Sequence, residues 1–427
     1  MKENKLGRFW IYSIFLLSPL YFRGQSEGVD FFDIFFAVYY SGTIAFWFFW
    51  YLFVQKKNFI SNIADFIFFL FYLLCIVNLF IALLNGVPFI TATRELLVFF
   101  YTLFYFPIKE YFVERKYLVD FLIILAISLI INDLGQFYDY YTKLEEGGMQ
   151  YAYQLAAAVR INQAIYGFTI ISGIILFFVP QEKSTRILIF VMVALTALAL
   201  TITFSRTYWA IVLAELVLLL IFLPLKYKAK LSVYIGTIAI IFVAISNIFF
   251  GDISKVLFQV LENRFTSTTQ GKSDLSVETR LIEWKVAISK IEEYPMGGNG
   301  FAKKFPYYNP IIHSTFNSHI IHNGYLFIMH RVGIPMALMY FFCVIYFLMK
   351  SLITTLRLKD QFYKFISLSG FLGVLAIMVG NMTSPLFTYR DGAFTVALCF
   401  ALSELAYKYF VENEKSKEVK ILGFIEK

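Results

Sequence analysis

The sequence predicts an all-α, polytopic integral membrane helical bundle of about 12 transmembrane helices, with one long structured extracytoplasmic loop. Three observations predict this. The chain has 427 residues, 59% hydrophobic and only 15% charged, against roughly 25% charged in an average soluble domain. Apolar runs of about 17–25 residues recur along its whole length, each able to cross a ~30 Å hydrocarbon core as a helix. No run shows the ten-residue alternation of a membrane barrel strand.

The expected spans are 9–22, 31–54, 63–84, 92–108, 117–133, 161–180, 186–204, 207–224, 231–250, 335–353, 362–380 and 393–410. The first is short. The "YFRGQSEG" after it offers no small-residue cleavage site, so it is expected to remain as an anchor. With no internal repeat and no soluble domain, residues 1–427 read as a single integral membrane domain.

Positive charge sets the expected orientation. With Lys2, Lys5 and Arg8 in the cytoplasm, the connections "QKKN", "KEYFVERK", "QEKSTR", "KYKAK" and "KSLITTLRLKDQFYK" also fall inside, as does the C-terminus. That side then holds 22 basic residues, 18 Lys and 4 Arg. The short outside connections hold six: Arg23, Arg94, Lys143, Arg160, Arg206 and Arg390. Topology asks only for charge, so five Arg to one Lys outside needs another reason. Either the planar guanidinium fork is there to grip phosphate, or the residues meet lipid headgroups. The net charge of +8 follows from topology and is no sign of nucleic acid binding. Cys75, Cys343 and Cys399 all lie within spans and read as small apolar filler.

Residues 251–334 form the long outside loop. "SVETRLIEWKVAISKIEEYP" reads as an amphipathic helix, with Ser276 as cap, Glu278 at its positive end and Pro295 as its stop. Its apolar stripe is expected at Leu281, Trp284, Ile288 and Ile291, against the membrane surface or the bundle. "MGGNGF" follows as a flexible turn. A loop of this length with its own structure is usually functional.

All four histidines, His313, His319, His322 and His330, gather at the end of this loop. "HIIHNGYLFIMHRVG" reads as one helix, ended by Gly333 and Pro335. On such a helix His319 and His330 stand roughly 16 Å apart along the axis and cannot share a metal ion, whereas His319 and His322 could touch one small ligand. Three readings are open: a zinc site, interfacial packing, or a base that takes a proton from a sugar hydroxyl. Zinc lacks a third protein ligand and an H-E-x-x-H motif, so no metal is expected.

"HNGYLFIMHRVG" is His-Asn, nine residues, then Gly: His322, Asn323 and Gly333. It follows "RLIEWKVAISKIEEYPMGGNGF" and an earlier "FSRTYW" at the outer end of the seventh span. In this order the set resembles the O-antigen ligase and polymerase superfamily of bacterial membrane glycosyltransferases. The resemblance covers roughly 186–353 by motif and the whole chain by topology. It implies transfer of a glycan from undecaprenyl diphosphate to an acceptor hydroxyl, outside the inner (plasma) membrane, without metal or other cofactor. Carried over, Arg206 and Arg280 hold the diphosphate and His322 is the base. Asn323, Arg160, Arg94, Arg390 and His319 are secondary candidates for substrate contact. The loop 251–334 then forms part of the active site.

Partners implied are the lipid-linked oligosaccharide, an acceptor glycan and membrane lipids, with a chain-length regulator and a flippase beside them. Ligases of this family often place Leu four residues after the loop arginine. Trp284 stands there instead, which favours polymerase over ligase. A transporter of lipid-linked sugars is the other class. It would need ionisable or broken positions at the midplane, and the spans read as nearly free of charge apart from Glu215.

Overall fold

The structure is a computed structural model. It describes residues 2–23, 31–147, 163–179, 182–203, 205–250, 275–311 and 313–415. The helices are α1 (Lys2–Arg23), α2 (Phe31–Phe49), α3 (Ile63–Leu84), α4 (Phe89–Phe100), α5 (Tyr105–Tyr111), α6 (Arg115–Gly147), α7 (Gln163–Phe177), α8 (Lys183–Ile202), α9 (Arg206–Phe222), α10 (Leu225–Phe250), α11 (Leu275–Glu293), α12 (Gly324–Val332), α13 (Ile334–Arg357), α14 (Gln361–Gly380) and α15 (Arg390–Tyr409). Among the described residues, eight helical stretches are long and apolar enough to cross a membrane. The four other expected spans fold as α1, α7, α9 and α10; α7 and α9 are short, at 15 and 17 residues. The all-α membrane architecture stands, and the number twelve is not confirmed.

The span expected at 92–108 is one of these eight, Phe89–Tyr111, but it is not α-helical throughout. A 3-10 turn, Tyr101–Phe104, joins α4 to α5, and all four of its residues are buried. The sheet is small: β1 (Phe305–Asn309) pairs antiparallel with β2 (Ser314–Ser318), Tyr307 opposite Phe316. This hairpin lies within the loop, after the "MGGNGF" turn, and is not part of the all-α expectation. His313 sits in its turn at φ +48°.

α15 is the centre of the bundle. Every residue from Arg390 to Ala406 is buried, and α5, α7, α13 and α14 pack around it. Small residues permit that crowding. A methyl on Gly370 of α14 would come within 2.7 Å of the Ser403 hydroxyl and 3.0 Å of the Cys399 carbonyl.

The spans carry more charge than the sequence reading expects, and it is mostly paired. Lys109 bonds Asp65, Ser61 and the Phe59 carbonyl, and Tyr105 donates to the same Asp65. Lys350 pairs with Glu404. Buried charges survive in low dielectric only when paired and hydrogen-bonded. This knot gathers at the start of α3. The far end of α3 does different work: Asn78 donates to the Gly297 and Arg331 carbonyls, and Asn85 to the Asn299 carbonyl. At 1.5 Å per residue, about 30 Å separates Asp65 from Asn85. One helix therefore ties the polar knot to the loop that carries the histidines.

Candidate active site

The loop is laced to itself through its backbone. Asn299 N–H donates to the His330 carbonyl at 2.8 Å, Gly300 N–H to the Arg331 carbonyl at 3.0 Å, and Ile334 N–H to the Pro295 carbonyl at 2.8 Å. Two glycines make this approach possible. Gly298 and Gly333 adopt φ +70° and +82°, and a methyl on either would fall 2.4 Å from a carbonyl oxygen, that of Arg331 or Met296. The stretch read as a flexible turn is thus docked backbone to backbone, with Gly298, Asn299 and Gly300 buried. The Gly333 of the His-Asn-x9-Gly pattern is explained here: it needs the left-handed conformation that side chains disfavour.

The helix expected from His319 onward begins only at Gly324. Asn323 caps it, its side-chain oxygen accepting from Tyr325 N–H at 3.0 Å and Leu326 N–H at 3.1 Å. Gly324 N–H donates to the Asn381 carbonyl at 2.7 Å. His319 and His322 therefore lie in the non-helical approach, and helical-wheel arguments do not apply to them. A capping side chain satisfies otherwise orphaned backbone donors, which accounts for an Asn immediately after the histidine.

His322 is held from three directions. Its Nδ1 lies 2.9 Å from Glu283 Oε2, its backbone N–H donates to Glu283 Oε1, and its carbonyl accepts from Trp284 Nε1 at 3.2 Å. Glu283 is 3% exposed. An ionised carboxylate can only accept, so Nδ1 carries the hydrogen, and in the neutral ring Nε2 is then the nitrogen with the lone pair. This is the geometry of a base set in one tautomer by a buried carboxylate.

Glu283 escaped the sequence reading because it sits in a helix judged by its apolar stripe. The structure turns that helix. Leu281 and Ile288 are exposed, Trp284 is half-buried, and the buried face is Glu283, Ala287 and Ile291. The signal was present: a carboxylate four and eight residues before Ala287 and Ile291, and three after Arg280, shares a face with all of them.

Arg280 and Glu283 both act electrostatically on Tyr389, in the turn before α15. Burial and Asp391 push the Tyr389 hydroxyl up to about 12, with Arg280 opposing. Tyr208, two residues into α9 beyond Arg206, is near enough to Tyr389 to feel it too. Tyr389 in turn lines a cleft of about 690 Å³ with Arg94, Glu95, Lys304, His319 and Arg390. Arg94, Arg390 and His319, expected as substrate contacts from three distant parts of the sequence, thus share one cleft. Arg206 opens α9 and is half-buried, Arg280 is half-buried on α11, and neither lines that cleft. Arg160 lies outside the described residues.

The remaining histidines are held differently. His330 is 1% exposed, accepts from Arg331 Nη1 at 3.0 Å, and packs against Phe305. Burial, with Arg331 and Lys290 beside it, drives its pKa down to about 3, so the ring is neutral. Burial also lowers His319, Glu95 opposing and Arg331 and Lys304 adding to the shift. His313 is exposed in the hairpin turn, its Nδ1 3.4 Å from the Tyr308 hydroxyl. Arg331, absent from the expected site, is fully buried and is a hub. It pairs with Glu95 at 2.6 Å, donates to the Lys303 carbonyl at 2.7 Å, and donates to the His319 carbonyl.

Among the described residues, no group of three His, Cys, Asp or Glu side chains is placed to hold a metal ion. A family model described as O-antigen ligase matches residues 190–341, from within α8 through α12 into α13. No curated protein matches the chain. The family match supports membership of the O-antigen ligase and polymerase superfamily.

Proposed function

We propose, with membership of the O-antigen ligase and polymerase superfamily as the premise, that the chain polymerises lipid-linked oligosaccharide repeat units. The observation that carries the reading is the His322–Glu283 pair at 2.9 Å, one helical turn from Arg280. In this reading Nε2 of His322 takes the proton of an acceptor sugar hydroxyl. The oxygen forms its bond to the anomeric carbon of the donor. The bond from that carbon to the diphosphate breaks, and its electron pair leaves with undecaprenyl diphosphate. Glu283 offsets the positive charge on the imidazolium, which later releases its proton to water.

Arg206 and Arg280 stabilise the charge growing on the departing diphosphate. A preorganised donor of this kind is typically worth ~10²–10³ in rate. The acceptor hydroxyl enters from the side of His319. The loop 251–334 forms part of the active site, at the outer face of the inner membrane, with both termini in the cytoplasm. A chain-length regulator and a flippase are its expected partners.

Polymerase is favoured over ligase by Trp284. Where ligases of this family often carry Leu, the indole N–H holds the His322 carbonyl, so the base is seated differently. Transport is the second reading. The buried charges in the spans bear on it, but Lys109–Asp65 and Lys350–Glu404 are closed pairs rather than a path. The test is to incubate the purified full chain in detergent with a lipid-linked repeat unit. A ladder of products supports polymerisation; transfer only to lipid A core supports the ligase; neither product returns the question to transport.

A further inference from the structure

One leaving diphosphate needs one cationic site, and this end of the bundle carries charge for two. Arg280 shares α11 with Glu283 and does not line the cleft. The cleft has its own wall, which includes His319 and Ile320, three and two residues before the base, and Tyr389, on which Arg280 acts. It brings together Arg94 from α4, Lys304 from the segment before β1, and Arg390 from the first residue of α15. Glu95 also lines it, but Arg331 engages that carboxylate from within the protein at 2.6 Å. Arg390 is seated by its own contacts, with Nη1 donating to the Tyr21 carbonyl at 2.8 Å and the guanidinium 3.9 Å over the Tyr21 ring. A volume of about 690 Å³ falls in the range of a small-molecule site.

We infer that this cleft binds the anionic group of the second, accepting substrate. The inference rests on the reading of the chain as a glycosyltransferase with its donor diphosphate at Arg206 and Arg280. A base must stand against the hydroxyl it deprotonates. The donor's arginines, Arg206 and Arg280, do not line the cleft, whereas His319, three residues before the base, does, so the cleft is left for the acceptor. Guanidinium groups there grip phosphate or carboxylate through paired hydrogen bonds. The chemistry is an anion close to the accepting hydroxyl. Its source is either the diphosphate of a lipid-linked acceptor or an acidic sugar within the acceptor glycan.

The test uses the purified full chain and its Arg94→Gln and Lys304→Gln variants. Arg390, packed on Tyr21, is left intact. Transfer is measured from an undecaprenyl diphosphate-linked oligosaccharide to two acceptors: the same lipid-linked oligosaccharide, and that oligosaccharide on a neutral alkyl chain. Each variant is expected to raise the acceptor KM by roughly tenfold to a hundredfold, with donor binding unchanged. If the anion is the acceptor diphosphate, the rise appears only with the lipid-linked acceptor. If it is an acidic sugar, the rise appears with both. Loss of donor binding, or an unchanged KM with both acceptors, overturns the inference.

Should the wild-type protein transfer to neither acceptor, the transferase reading itself fails. Binding of inorganic pyrophosphate then decides for the cleft as an anion site. Weakened binding in both variants supports it, and equal binding in all three proteins overturns it.

Discussion

His322 differs from its three neighbours in what holds it. Its ring meets a buried carboxylate, whereas His330 meets a guanidinium and His313 a tyrosine hydroxyl. Only the first arrangement leaves Nε2 as an acceptor with an anion behind it. His322→Ala is therefore expected to lower kcat by about 10²–10⁴ while the lipid-linked donor still binds; loss of binding and turnover together would sink the assignment. Glu283→Gln should lower kcat by roughly 10² and leave the donor KM nearly unchanged, because an amide cannot offset the imidazolium. Arg280→Lys keeps the charge and loses the fork, so most turnover should go, read in the same assay.

The pKa of His330 makes a separate statement, about stability. The folded ring titrates at about 3, the unfolded one near 6.5. Between those values the unfolded chain binds a proton that the folded chain refuses, so stability falls as pH drops through that window. Thermal unfolding in detergent from pH 7 to pH 5 should show this fall. His330→Phe should flatten the pH dependence, and an identical slope in both proteins would contradict it.

Elements were legible where period and length carried the information. The long apolar helices and the end of α11 before Pro295 follow from hydropathy and the proline stop; α11 already includes Leu275, so Ser276, expected as its cap, lies inside the helix. Three features were not legible, each for a physical reason. The start of α12 is fixed by Asn323 capping and by the Gly324–Asn381 contact, and that contact depends on α14 arriving from elsewhere in the chain. The face of α11 is decided by a buried carboxylate, which an apolar stripe ranks as solvent-facing. The docking of residues 296–300 depends on backbone contacts that composition does not encode, although the paired glycines hint at them.

That docking gives an element-scale prediction. Gly298→Ala and Gly333→Ala each place a methyl 2.4 Å from a carbonyl oxygen at positive φ. Strain of this kind costs about 1–3 kcal/mol. Both variants should melt earlier and lose turnover, while Gly42→Ala, with nothing within 4 Å of the new methyl, should behave as wild type.

At the scale of the whole molecule, the chemistry proposed needs two polar clusters at one end of the bundle and no divalent ion. Turnover is expected to continue in excess chelator. Turnover that stops and returns with zinc or magnesium would show a ligand set that the donor arrangement around His322 does not suggest. Glu215 lies apart from both clusters, buried in α9 and 3.8 Å from where a methyl on Gly167 would sit.

Arg280, Glu283, Trp284 and His322 all belong to one contiguous stretch of chain, and paired glycines cinch that stretch at its root. Arg94 and Arg390 come from helices of the bundle instead. Inheritance can therefore separate the two. On the proposed reading, a chimera taking residues 275–334 from a relative would import a complete proton-handling cassette, with Lys304 and His319 of the cleft, and keep the recipient's Arg94 and Arg390. Exchange of α4 and the start of α15 would change those two arginines alone. A lineage built this way would adjust the grip on its acceptor without rebuilding the proton transfer.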